Sequence, residues 1–293
     1  MNKEKYVFSQ LVSFLDRNHF NYLVRKYNGD RYVKHLTCWN QFLAMMFGQL
    51  SNRESLRDLI VALEAHHSKC YHLGMGKNVS KSSLARANQD RDYRTFEEYA
   101  FDSTTIDLCL VVFWWAKFRK KKGGIKVHTL YDVETQIPTF FHITTASTHD
   151  SKATKDYPKQ LRLVRFFDEE KGREFAFLTN ATHISSSLVA ELYKNRWQIE
   201  LFFKWLKQHL KIKKFWGITE NAVRIQIYVA ICTYLLVTIV KNDMKLEIST
   251  YEVLQILSIS LTDKTHLKDL FDKTKFQYDK DRFGPNEPNL FNV

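Results

Sequence analysis

Apolar residues recur at helical spacing through the first hundred positions. Between Trp39 and Leu50, Phe42, Leu43, Met45, Met46 and Leu50 fall one, three or four apart, a pattern that predicts a helix. Ser51 then opens a Ser-x-x-Glu sequence closed by Glu54, the signature of a capping box. In the helix that follows, Leu56, Leu59, Ile60 and Leu63 share one face. Two helices joined by so short a turn have the form of a helix-turn-helix, a common DNA-binding unit, and equally of an ordinary helical hairpin. Residues 77–94 are polar and carry Lys77, Lys81, Arg86, Arg91 and Arg94. They form a surface turned either to solvent or to DNA.

The pattern changes after residue 98. Tyr99 to Phe101 is a short apolar run ending at Asp102, and a basic run follows with Lys117, Arg119, Lys120, Lys121, Lys122 and Lys126 around Gly123-Gly124. Residues 127–133 and 137–145 predict paired strands. Residues 161–167 and 173–180 predict a hairpin turned by Asp168-Glu169-Glu170-Lys171-Gly172. A long helix is expected from Ser185 to about Ile212, and another from about Glu220 to Lys241. The most apolar stretch, Ile225 to Val240, is 16 residues long and is interrupted by Gln226. A membrane span needs about 20 residues, so a buried core helix is expected there. The tail from Asp279, with Gly284, Pro285 and Pro288, reads as a frayed end. Together these elements predict an α/β (α+β) chain. Residues 1–98 would form a helical domain of DNA-binding type, 99–278 a mixed core and 279–293 an irregular tail.

Composition narrows the class. Nine glycines and four prolines in 293 residues are about a third of the usual share, which excludes collagen-like and low-complexity chains. Hydrophobic residues make up 44% and aromatics 14%, which excludes wholesale disorder. Lys and Arg number 44 against 32 Asp and Glu, a net charge of +12, so an anionic partner is expected and nucleic acid comes first. Cys38, Cys70, Cys109 and Cys232 form no CxxC pair and no dense framework; they read as buried apolar residues in a reducing compartment. The opening Met1-Asn2-Lys3-Glu4-Lys5 has no apolar run of a signal peptide behind it.

Candidate chemistry sits on the helix from Ser185. Tyr193, Arg196, Glu200 and Lys207 are offset by 0, 3, 7 and 14 and fall within an arc of about 60°. Leu192, Trp197, Ile199, Leu201, Phe202, Phe203, Trp205 and Leu206 occupy much of the remaining circumference. A charged stripe on so apolar a helix faces a partner, a metal or a cleft, or else forms a salt-bridge ladder from the i,i+4 pair Arg196 and Glu200. Asp102, read as lying at a strand end, offers the oxygen ligand that a hard divalent cation prefers; Asp107 could serve on chemistry alone.

These residues carry a resemblance. Tyr193-x2-Arg196-x3-Glu200-x6-Lys207 resembles the Y-R-E-K signature of insertion-sequence transposases of the IS-four group, and Asp102-Ser103-Thr104 resembles their first catalytic aspartate. Lys122 to His128 is similar to their second-strand region, Ser147 to Ser151 to the segment after the third strand, and residues 1–75 to their N-terminal helical domain. The resemblance implies an RNase H-like core in which two Asp and one Glu bind two divalent ions, Mg²⁺ or Mn²⁺, for DNA strand cleavage and transfer. It implies metal binding at Asp102 and Glu200, and phosphate contacts at Tyr193, Arg196 and Lys207. Arg119, Lys120, Lys121, Lys122 and Lys126 are expected to touch the DNA backbone. The implied partners are double-stranded DNA and a second copy of the chain on it, in the bacterial cytoplasm beside the nucleoid and with no membrane.

One departure stands out. The family's second aspartate lies in an Asp-Arg-Gly-Tyr-like stretch on the fourth core strand, and no such stretch occurs here. After Asp150 the chain runs through Asp156 to Pro158 and enters the segment resembling the family's inserted hairpin. The crossover helix and fourth strand are skipped, and a second join is expected at residues 98–101. Asp168 begins an acidic turn, which marks a hairpin tip rather than a ligand. The chain is therefore expected to be an internally deleted transposase. It either retains metal-dependent chemistry through another acid or survives as a DNA-binding relic.

Overall fold

The computed structural model describes residues 5–76, 79–103, 109–110, 117–119, 122–123, 125–132, 137–145, 162–168, 172–179, 185–193, 204–210, 212 and 215–272. Helices and short antiparallel sheets are both present among them, in keeping with the expected mixed class. The first seven helices are α1 (Val7–Val12), α2 (Arg17–Lys26), α3 (Cys38–Leu50), α4 (Leu56–Ala65), α5 (His67–Cys70), α6 (Lys81–Asp90) and α7 (Arg94–Ser103). Three follow the strands: α8 (Ser186–Tyr193), α9 (Glu220–Asp243) and α10 (Thr250–Ser260).

α3 and α9 are the centre of the helical body. Twelve of the 13 residues of α3 are buried, and α9 packs against α3, α6, α7 and α10. The segment just before α9 and the helix α4 also press closely on α3. A Cβ on Gly48 of α3 would lie 2.6 Å from Trp216 Cη2 and 3.2 Å from both methyls of Leu59. α9 is long and apolar enough to cross a bilayer by length and composition, yet 83% of its most apolar window is buried inside the protein, as expected of a core helix. An aromatic cluster joins α2, α3 and α7: Phe20 lies 5.1 Å from Phe42 and 5.0 Å from Tyr99, with Phe96 and Trp39 alongside. Such pairs contribute beyond the area they bury, by about 0.5–1.5 kcal/mol each.

The cap expected at Ser51 is displaced. Ser51 N–H donates to Phe47 O and closes the last turn of α3, after which Asn52 turns the chain at φ 58°. α4 is capped instead by Ser55, whose hydroxyl accepts from Asp58 N–H. The helical pair is a core hairpin. α3 has no free face, and α4 exposes Arg57, Val61, Glu64 and Ala65, one cation against one anion. A groove-reading helix would carry a basic face.

The expected strand pair forms as β4 (Ile125–Asp132) and β5 (Ile137–Thr145), antiparallel, with β1 (Cys109–Leu110) on the other edge of β4. β2 (Lys117–Arg119) and β3 (Lys122–Gly123) make a small ribbon. The expected hairpin forms as β6 (Arg162–Asp168) and β7 (Arg173–Thr179). Asp168 pairs with Arg173 at its closed end, and Gly172 there takes φ 59°. The RNase H-like arrangement expected around these strands draws on segments outside the described residues.

Candidate functional site

Asp102 was expected at a strand end, and that placement is corrected: it lies in the last turn of α7. The apolar residues Phe96, Tyr99 and Ala100 follow one another at helical spacing, and burial of Phe96 and Tyr99 against α2 and α3 makes helix the consistent outcome. The join expected at residues 98–101 and the boundary at 98 both fall within this helix.

Several polar contacts hold α7 in place. Glu98 accepts from Lys26 Nζ at 2.7 Å and from the Tyr27 hydroxyl. Glu97 accepts from the Tyr228 hydroxyl of α9 at 2.5 Å. Burial pushes the Glu97 carboxyl above its ordinary 4.5 despite that hydrogen bond and pushes the buried Tyr228 phenol well above its usual range. One turn away, Arg224 donates to Glu220 Oε1 at 2.7 Å and to the Ile143 carbonyl of β5 at 3.0 Å, with its guanidinium 4.7 Å from the Tyr93 ring centre. The helix carrying Asp102 and the sheet edge at β5 are thus both fastened to α9.

The signature stripe is described at its two ends. Tyr193 is the last residue of α8, and Lys207 lies in a helical stretch over 204–209. Arg196 and Glu200 lie outside the described residues, as do Lys120 and Lys121. The Lys207 end is well anchored. Leu206, Leu210 and Ile212 are buried, Trp205 stacks edge-on against Tyr234 of α9 at 4.9 Å, and His209 lies 4.1 Å from Tyr251 of α10. Burial lowers the His209 pKa below its ordinary 6.5. Lys207 is half-buried beside this apolar arc, with Lys204 and Gln208 exposed.

Of the basic run, Arg119 is in β2, opposite Lys122 of β3, and Lys126 is in β4, opposite Cys109 of β1. Three of the five expected cations thus lie on strands, Arg119 and Lys122 on the β2–β3 ribbon and Lys126 on the β1–β4 edge. Farther back, Arg91 is structural. Its guanidinium donates to Gln41 Oε1 at 2.8 Å and to the Leu36 carbonyl, and lies 3.9 Å from Asp30. Lys81 and Arg86 of α6 are exposed. Cys38, Cys70 and Cys232 are buried free thiols, and burial pushes Cys38 up to about 12; the Cys109 side chain lies outside the description. Among the described residues no three His, Cys, Asp or Glu gather into a metal site.

Comparison with known proteins bears on the same segments. Residues 3–76 match a domain of unknown function, DUF4372. Residues 94–166 and 154–236 match the transposase DDE domain in two overlapping pieces. A putative transposase, y4zB, of Sinorhizobium fredii is 48% identical over 89 residues, covering 30% of this chain and 25% of the relative. A probable transposase for insertion sequence element IS5377 of Geobacillus stearothermophilus is 24% identical over 204 positions, covering 46% of this chain and 54% of the relative. A putative transposase for insertion sequence element IS4SA of Synechocystis is 37% identical over 81 residues, 28% of this chain and 24% of the relative. The chain spans between a quarter and about half the length of these curated relatives. No solved structure matches. The 204 positions aligned with the Geobacillus protein take in 46% of this chain, about 135 residues, so roughly 70 of them face no residue here. With both domain matches in chain order and three transposases aligned, the chain belongs to the DDE transposases of insertion sequences, in the IS4-like group.

Proposed function

We propose that this chain is an insertion-sequence transposase that binds duplex DNA at element ends and whose strand-cleaving chemistry is curtailed by an internal loss. The family's metal-dependent mechanism needs three carboxylates on an RNase H-like core. Asp102 and Glu200 are two, and their oxygen donors suit Mg²⁺ or Mn²⁺. The third belongs to a stretch this sequence lacks. The single observation that carries the reading is the roughly 70 aligned positions that face no residue here; the DDE match in two pieces that overlap over 154–166 agrees with it.

The chain's own residues would divide the work. Asp102, on α7, and Glu200 would hold the ion, which when bound supplies Lewis-acid polarisation of the phosphate and of the attacking oxygen. Arg196 and Lys207 would neutralise phosphate charge beside the cut, and the Tyr193 hydroxyl would donate one hydrogen bond to it. Arg119, Lys120, Lys121, Lys122 and Lys126 would track the backbone. With one carboxylate fewer, ion affinity and geometry suffer while phosphate contacts remain. The net outcome is a DNA-binding relic that acts in the cytoplasm on the nucleoid and assembles on DNA with a second copy.

The test is cleavage of element-end DNA by the purified chain in Mg²⁺ or Mn²⁺. The expected result is binding with little or no cutting. Robust metal-dependent cutting, abolished by Asp102→Ala or Glu200→Ala, would overturn the curtailed-chemistry reading and restore the chain as an active enzyme.

A further inference from the structure

The helical unit that precedes the transposase core carries a strongly basic segment outside the hairpin α3–α4. Between residues 17 and 36 the chain carries Arg17, Arg25, Lys26, Arg31 and Lys34 against one acid, Asp30. That acid is turned inward: Asp30 Oδ1 accepts from Cys38 N–H at 2.6 Å and lies 3.9 Å from Arg91. Lys26 is paired with Glu98. Arg25, Arg31 and Lys34 are exposed, and no described carboxylate pairs with them.

Two rings stand among these cations. On α2, Asn18, Tyr22 and Arg25 fall within an arc of about 60° opposite the buried Phe20, Leu23 and Val24, and Tyr22 is 54% exposed. Tyr32 is 87% exposed, with the Arg31 guanidinium 4.9 Å from its ring centre. Tyr32 also holds φ 61°, a left-handed conformation that is uncommon outside glycine and asparagine. The turn is firmly built: Gly29 N–H donates to Val24 O, Arg31 N–H to Asn28 O and Val33 N–H to Asp30 O. Arg25 and Lys26 also complement the C-terminal dipole of α2, Arg31 donates to the neighbouring Tyr32 hydroxyl at 3.1 Å and Tyr22 lies against His19; these contacts stay among residues of α2 and its turn and leave the positive charge uncompensated.

We propose that the outer face of α2 and the turn over 27–36 form a second DNA-contacting surface, which holds the duplex backbone outside the DDE core. Positive charge suits the evenly spaced phosphates of a duplex, and the tyrosine hydroxyls add uncharged donors to phosphate or sugar. The turn presents these groups on a backbone fixed by its own hydrogen bonds. The inference rests on the reading of the chain as a DNA-acting protein and adds to it a face on the segment matched by a domain of unknown function.

The experiment uses the full chain and a fluorescent duplex of about 30 base pairs of arbitrary sequence, with affinity read over a salt series. Three variants are compared with the wild type: Arg25→Glu/Arg31→Glu/Lys34→Glu; an equal charge change on other exposed positions, Arg57→Glu/Lys245→Glu/Lys268→Glu; and Arg119→Glu/Lys122→Glu/Lys126→Glu in the core. Thermal melts confirm that each is folded. The first variant is expected to bind about tenfold or more weakly, with a salt slope smaller by about two to three, since each lost phosphate contact removes about 0.9. The second is expected to lose much less. Equal losses in the first two variants would reduce the effect to net charge and overturn the inference. Loss in the core variant with none in the first would overturn it too, while leaving the DNA-acting reading intact. Failure of the wild type to bind any duplex would overturn both.

Discussion

Glu97 is a carboxyl group set half-buried between two helices, with the Tyr228 hydroxyl donating to it at 2.5 Å. Its pKa is raised by burial, so the folded state holds the proton more tightly than the unfolded chain. The sign follows by linkage: the contribution to stability is full below the ordinary value of 4.5 and is lost as pH rises through the higher folded value. Glu97→Gln keeps an oxygen to accept from Tyr228 and removes the buried charge. It is expected to raise stability at pH 7 by on the order of 1 kcal/mol and to flatten the pH dependence above about pH 4.5, as measured by denaturant unfolding at pH 4 and pH 7. A variant less stable than wild type at pH 7, with the same pH profile, would show that the charge is needed there, with Arg224 as its nearby counterion. None of this was legible in the sequence. Glu97 stands in a polar stretch, and its partner is 131 residues away. Arg91 is the mirror case: in the sequence it belongs to a basic surface, while in the fold it bonds Gln41 and Leu36.

At the scale of elements, spacing reported the local structure and missed what depends on distant packing. The strand pair, the hairpin with Asp168 at its tip and the core helix α9 all carry their pattern within a dozen or two residues, and each forms close to its expected bounds. Asp102 was placed on a strand because Tyr99 to Phe101 is too short to distinguish strand from helix; contact with Phe20 and Phe42 of other helices decides the matter. The capping box expected at Ser51 is found instead at Ser249, which accepts from Glu252 N–H while Glu252 accepts from Ser249 N–H. Ser249→Ala is expected to cost about 1 kcal/mol, read as a shift in denaturation midpoint with an unchanged slope. Packing of α3 gives a sharper test. Gly48→Ala is expected to cost about 1–3 kcal/mol by overpacking, because the added carbon meets Trp216 at 2.6 Å. Trp216→Leu vacates that space, so the double variant is expected to show favourable coupling of about 1 kcal/mol in a mutant cycle. Strict additivity would mean that Leu59 or the helix backbone, not Trp216, sets the limit.

Across the whole molecule, the proposed function assigns the charge and the absent Asp-Arg-Gly-Tyr-like stretch to different steps. The excess of +12 is spread over α2 and its turn, the strands β2–β4 and the end of the signature helix at Lys207. None of those cations needs a divalent ion to meet a phosphate. The carboxylate set, by contrast, is a collective device, and removing one member weakens it as a whole. Binding and cutting should therefore separate in this chain more completely than in an intact relative. Duplex affinity in EDTA is expected to stay within about threefold of that in Mg²⁺ at matched ionic strength, with a salt slope set by the number of phosphates neutralised. If EDTA instead weakens binding by tenfold or more, the ion is bridging protein and DNA. The carboxylates present, with or without a substitute acid, then suffice to hold it, and the proposal of curtailed metal chemistry fails.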